Sequence, residues 1–319
     1  MSNSHDLFLD YLSKVRINSK KKESLRTSRN ANRNRICDYF RDTLKREEPR
    51  FHGQGSYKMF TMINPLDCDY DIDDGVYLQG LGTDQSKWPK PETVHSWIVK
   101  AVEGYTSTPP QDKARCVRVR YSGDYHVDLP IYAMNASGVP MLFEKGKDPY
   151  ESSPKAFTEW FLQKVKDHGE QVRRLTLYMK GWRDKQKSGL AKVSGLSLTI
   201  LVAENFHSDD RDDVALVETV KKIYTHMQYN GCIWKPVTPF ENVAARWTSA
   251  QKSNFIEKLK TLRDRGQDAI DEEDDVRASK IWQKQFGDRF PLAEEAVESK
   301  SAAIRMATPA ILGNDGRSA

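Results

Sequence analysis

The stretch Tyr70-Asp71-Ile72-Asp73-Asp74-Gly75-Val76-Tyr77-Leu78 decides how this 319-residue chain is read. Its apolar residues mark a strand, and side chains two apart on a strand share a face. Asp71 and Asp73 are therefore expected side by side. Asp67 and Asp69 have the same parity, but apolar residues begin only at Tyr70, which leaves the earlier acids in an approach loop. A second run, Tyr125-His126-Val127-Asp128-Leu129-Pro130-Ile131-Tyr132, places another carboxylate inside an apolar strand. Upstream, Gly55-Ser56-Tyr57-Lys58-Met59-Phe60 opens with a glycine that lets backbone N–H groups approach an anion closely. A calcium loop starting at Asp69 fails, because Asp74 stands where that loop needs Gly and Gly80 where it needs Glu.

Three strand-borne carboxylates can bridge two divalent ions roughly 3.5–4 Å apart, the arrangement that activates a hydroxyl and stabilises a leaving pyrophosphate. Magnesium prefers such hard oxygen ligands. The parts suit metal-dependent nucleotidyl transfer, with Gly55 and Ser56 against the phosphates.

The composition is 38% hydrophobic and 30% charged with a net charge of +5, as expected of a water-soluble protein. From Lys14 to Arg35 there are nine basic residues and one acid, Glu23. That run can meet phosphates or nucleic acid, or simply be a solvated helix face. Cys37, Cys68, Cys116 and Cys232 are widely spaced, which argues against a disulfide scaffold or a structural zinc. No N-terminal apolar leader and no run of about 18 apolar residues is present, so a reduced, cytoplasmic location away from membranes is expected.

An α+β chain is predicted. Helices are expected at 5–17 and 19–46, the second ended by Pro49, and strands at 56–64, 70–79, 115–121 and 124–134, with a helix at 91–105 between them. Ser122-Gly123-Asp124 reads as a hairpin turn. Helices follow at 155–167, 170–187, 195–206, 211–230, 249–267 and 276–286. The divisions are a helical leader and spine (1–50), a catalytic core (51–154), a helical lobe (155–298) and a flexible tail (299–319). Trp182 and Trp234 are expected in the core.

The aspartate motifs and the Gly-Ser pair resemble the polymerase-β-like nucleotidyltransferases. More narrowly they resemble the bacterial relatives of cyclic GMP-AMP synthase and oligoadenylate synthase, the CD-NTases of anti-phage CBASS systems. Leu177-Tyr178-Met179-Lys180-Gly181-Trp182-Arg183, Val193-Ser194-Gly195-Leu196-Ser197-Leu198-Thr199 and Trp234-Lys235-Pro236-Val237 with Phe240-Glu241-Asn242-Val243 extend the likeness to roughly residue 290. The resemblance implies a polymerase-β-like lobe followed by a helical, oligoadenylate-synthase-like C-terminal lobe. It implies two Mg²⁺ ions, with Mn²⁺ as a substitute, on Asp71, Asp73 and Asp128, and a donor triphosphate held by Gly55, Ser56, Lys180 and Ser194. Bottom-up, Lys180 reads equally well as solvent-facing and Ser194 as a helix N-cap.

The implied reaction makes a cyclic di- or trinucleotide, adenine-containing, from ATP and other NTPs in anti-phage signalling. The alternatives are a linear RNA-extending or 2-5A-type transferase and a catalytically silent nucleic-acid-binding relative. Some family members work with HORMA-type activators or are joined through their C-termini by ubiquitin-like conjugation machinery, and Gly313-Asn314-Asp315-Gly316-Arg317-Ser318-Ala319 could serve that or be an ordinary terminus. No His/Cys cluster supports a zinc-bearing insertion, which argues against direct DNA sensing.

Overall fold

A computed structural model describes residues 1–123 and 125–294. Asp124 of the expected turn and the tail at 299–319, with its conjugation motif, lie outside the described residues.

Chain order is α1 (His5–Val15), α2 (Ser19–Asp38), β1 (Arg50–Gln54), α3 (Gly55–Met59), β2 (Tyr70–Leu78), α4 (Pro91–Val102), β3 (Gln111–Asp112), β4 (Val117–Tyr121), β5 (Tyr125–Leu129), β6 (Ile131–Met134), β7 (Pro140–Leu142) and β8 (Tyr150–Glu151). Then come α5 (Pro154–His168), α6 (Gln171–Lys185), α7 (Gly195–Asn205), α8 (Asp212–Tyr229), α9 (Ser249–Asp271) and α10 (Asp275–Phe286). A mixed sheet carrying α2 and α4 is thus followed by a helical lobe, as the α+β reading expects.

Local chemistry sets the boundaries. Pro154 opens α5, where its missing N–H costs nothing. Thr248 and Gln251 form a reciprocal capping box at the start of α9. The expected helix at 19–46 is shorter: after Asp38 the chain loosens into a wider turn at Tyr39–Thr43, where Leu44 N donates to Tyr39 O at 3.0 Å. The expected strand at 56–64 is wrong. Gly55–Met59 is a short helix that stops when Phe60 enters the left-handed region at φ 58°. The true strand there is β1, which sequence reading missed.

β2 is the hub of the sheet. β1 pairs it antiparallel, Gln54 opposite Asp73. β5 and β6 pair it parallel and share one register, with Asp73 opposite Asp128 and Val76 opposite Ile131. The expected strand at 124–134 is divided by Pro130, which has no N–H to give. Tyr70, Ile72 and Val76 of β2 are buried under α2 and α4 with Leu25, Ile36 and Ile98. That burial fixes the register and turns Asp71 and Asp73 to the opposite face.

The helical lobe has its own core, and α1 belongs to it. Phe8 packs its ring against Tyr178, Trp282, Phe286 and Phe290 at centroid distances of 4.9–5.5 Å. Tyr11 presses so closely on α6 that a Cβ at Gly181 would lie 2.3 Å from its hydroxyl. No described helix is long and apolar enough to cross a membrane.

Candidate active site

The parallel register brings the three expected acids together. Asp73 and Asp128 are direct cross-strand partners, and Asp71 stands opposite His126. All three acids line one cavity of about 670 Å³ between the lobes. Burial raises the Asp73 carboxyl well above the usual carboxylate range, and the Asp71 and Asp128 charges push it further. The Asp71 carboxyl is also raised by burial, partly offset by His126. Gly55 sits at φ 64°, and a Cβ there would lie 2.5 Å from Asp73 Oδ2. The loop and the carboxylate therefore fit only because residue 55 has no side chain.

Two neighbours escaped the sequence reading. Arg118 on β4 faces Asp128 across the hairpin and donates Nε and Nη2 to its two oxygens, each at 2.7 Å. His126 is 4% exposed, and neither ring nitrogen has a hydrogen-bond partner. It lies 3.2 Å from Asp69, 3.8 Å from Asp71 and 4.0 Å from Asp128. Burial lowers its pKa, while the carboxylates, Asp128 first, oppose that shift. Both residues were within reach of simple rules. His126 has the parity of Asp128, and a turn centred on Gly123 pairs 118 with 128.

Gly55, Ser56 and Lys180 line the same cavity. Lys180 is not solvent-facing. Its ammonium is buried and donates to Thr61 O at 3.1 Å and Thr61 Oγ1 at 3.0 Å. Burial lowers its pKa to about 7, with Asp71 pulling the other way. Ser194 is not among the cavity-lining residues. Its hydroxyl caps α7, accepting from Ser197 N at 3.0 Å. Trp182 is fully buried as expected, whereas Trp234 is 60% exposed, contrary to expectation. Trp234 sits on a narrow bridge to Asn242 that leaves its outer face open.

Part of the basic run at 14–35 is occupied in building the fold. Arg33 makes a bidentate pair with the buried Asp74 at 2.6 and 2.5 Å. Lys21 covers the Tyr70 ring and Arg35 the Tyr105 ring.

Comparison with known proteins agrees with this geometry. Residues 49–132 match the family described as cyclic GMP-AMP synthase DncV-like, nucleotidyltransferase domain. A cyclic GMP-AMP synthase from Escherichia albertii is 30% identical over 221 residues, covering 65% of this chain and 49% of that protein. The crystal structure of Vibrio cholerae DncV cyclic AMP-GMP synthase with nonhydrolyzable GTP superposes with a TM-score of 0.77 at 18% identity, over 92% of this chain and 100% of that one. Residues 49–132 thus carry a DncV-like nucleotidyltransferase domain. A cyclic AMP-AMP-AMP synthase from Acinetobacter sp. is 27% identical over 158 residues, covering 47% of this chain and 46% of that protein. The chain thus spans about half the length of the curated relatives it matches.

The side chains of this cavity suit a divalent ion. Asp71, His126 and Asp128 each offer a ligand atom, all within 4.8 Å of one another. Asp73 lies outside that trio, its carboxylate turned toward Gly55. Clustered carboxylates beside an imidazole with unfilled hydrogen-bonding capacity supply a donor set that suits a hard divalent cation. Lys235, only 8% exposed, also lines the cavity, and its ammonium has one long hydrogen bond, 3.5 Å to Thr238 O.

Proposed function

We propose that this chain is a CD-NTase, a Mg²⁺-dependent nucleotidyltransferase that converts ATP and other NTPs into a cyclic di- or trinucleotide containing adenine, acting in anti-phage signalling in the cytoplasm. The observation that carries this reading is the meeting of Asp71, Asp73 and Asp128 in one interlobe cavity with Gly55, Ser56 and Lys180. The relatives support the cyclic product. Besides the synthases above, a c-di-GMP synthase from Roseivirga ehrenbergii is 26% identical over 132 residues.

In this reading Asp71, Asp73 and Asp128 hold two Mg²⁺ ions, with Mn²⁺ as a substitute. When bound, such ions lower the pKa of an attacking hydroxyl and neutralise the leaving pyrophosphate. The backbone at Gly55 and the Ser56 hydroxyl seat the triphosphate. Lys180, held at Thr61, turns its charge toward the phosphates once they enter. Asp128 is kept in one orientation by the Arg118 fork and receives the proton of the attacking hydroxyl. Most of the acceleration comes from positioning and charge complementarity. Ser194 serves the site indirectly, by fixing the first turn of α7 beside Lys180, where a Cβ added at Gly195 would lie 3.4 Å from Lys180 Cε.

The test is incubation with all four labelled NTPs and Mg²⁺ or Mn²⁺, followed by phosphatase digestion and mass spectrometry. A phosphatase-resistant cyclic product is expected. A product that loses its terminal phosphate makes this a linear transferase. Steep, salt-dependent nucleic-acid binding without turnover makes it a silent binding protein. HORMA-type or conjugation partners belong to the same proposal, read by whether turnover needs an added activator.

A further inference from the structure

Residues 61–69, which follow the Phe60 cap of α3 and precede β2, form a strap connecting two parts of the candidate site. Its first residue, Thr61, donates its N–H to Ser56 O at 2.9 Å, and its last, Asp69, leads into β2, which carries Asp71. One face of α6 grips this strap twice. Lys180 holds Thr61, and one turn later Asp184 accepts from Leu66 N at 2.9 Å. Positions four apart on a helix lie on one side, so both grips come from a single surface.

The second grip is reinforced from elsewhere in the chain. Arg289 donates Nη2 to Asp184 Oδ2 at 2.8 Å and Nη1 to Asn64 O at 2.6 Å. Its guanidinium therefore bridges the strap and α6 at once. Arg289 is itself rigidly mounted. It follows Gly287 on the turn that ends α10, and Phe290 stacks on Phe286 with Tyr11 alongside. Asp184 is 4% exposed, so the pair works in low dielectric, where hydrogen bonds between ions are strong. Lys187 adds an outer contact to Asp67.

We propose that Asp184 and Arg289 are positioning residues that clasp the strap to the helical lobe, and so fix Lys180 in the cleft against Asp71 for nucleotidyl transfer. The transfer part of this statement rests on the function proposed above; the clasp itself does not. Neither residue need touch substrate. With the clasp open, the strap keeps its bonds to the α1–α2 junction, Asn64 N to Val15 O at 2.7 Å and Ile17 N to Met62 O at 3.3 Å, but loses its tie to the far turn of α6, so that groups from two lobes lose part of their common frame.

The test compares the full chain with Arg289→Met and Arg289→Lys. Three quantities are read: amide hydrogen exchange across 61–73, the acylation rate of Lys180 by mass spectrometry, and kcat with nucleotide KM. Met keeps an unbranched stem as far as the position of Arg289 Nε, without the guanidinium donors. It is expected to speed exchange at Asn64 and Leu66 at least tenfold, with α9 unchanged, and to speed Lys180 labelling several-fold. It should lower kcat tenfold or more while KM changes less than threefold. Lys, which can still reach Asp184, should restore much of each. Unchanged exchange and labelling in Arg289→Met overturn the clasp. Accelerated exchange with wild-type kcat overturns its positioning role. A wild-type protein without turnover refutes the reaction alone, because exchange and labelling still decide the clasp.

Discussion

Gly55 and Asp73 compete for one volume: a methyl group on residue 55 would stand 2.5 Å from the Asp73 carboxylate oxygen. Gly55→Ala must therefore displace the acid, and it also strains a backbone at φ 64°, worth about 1–2 kcal/mol. The melting midpoint should fall by roughly 2–6 °C, and stabilisation by Mg²⁺ should disappear. Scanning calorimetry with and without MgCl₂ checks this; an alanine variant that keeps its metal response contradicts it.

Asp73→Asn should stabilise the metal-free protein. Folding raises this carboxyl's pKa above its unfolded value. The native state thus binds more protons than the unfolded state between those values, and stability falls as pH rises through that window. Asn escapes the penalty, so its melting midpoint in EDTA should exceed wild type at pH 8, and the gap should narrow toward pH 4. Mg²⁺ should reverse the order, since a ligand at a hundredfold excess over Kd adds about 2.7 kcal/mol to the state that binds it.

Lys180 is a site of opposite sign. Its folded pKa of about 7 lies below the usual lysine value. Between the two, the unfolded state binds the extra proton, so native stability rises with pH from about 7 upward, and the full penalty applies below 7. Lys180→Met should melt higher than wild type at pH 6, with the advantage shrinking by pH 9, and should lose most turnover. A variant that is less stable at pH 6 would show that the hydrogen bonds to Thr61 outweigh the burial of charge.

Arg118→Met leaves Asp128 buried beside two raised carboxylates without its fork. Removing one partner of a mostly buried ion pair costs about 3 kcal/mol. Chemical denaturation should show that loss in EDTA and recover part of it with Mn²⁺, which would take over the role of countercharge. Loss without metal rescue would argue that Asp128 is purely structural.

The strands carrying the acids were legible because period-two patterning is local: Ile72 and Val127 point one way, Asp71 and Asp128 the other. The helices of the second lobe were legible from their caps and breaks, such as Pro154 and Gly169. The 56–64 segment misled because Tyr57, Met59 and Phe60 resemble a strand, whereas the left-handed backbone at Phe60 and the Thr61 bond to Ser56 close it as a helical turn. Trp234 misled because it sits on a narrow bridge to Asn242, eight residues on, where an aromatic side chain stays exposed. The burial of Lys180 had no local signal either, since it depends on a strap from the other lobe.

Phe8 and Tyr11, close to the start of the chain, fill the interior built by α6 and α10. A fragment cut at Pro154 would expose a hole lined by Tyr178, Trp282 and Phe286. The second lobe is therefore not a separable module, and on the ribosome its opening helix waits for the last helices before it finds its place.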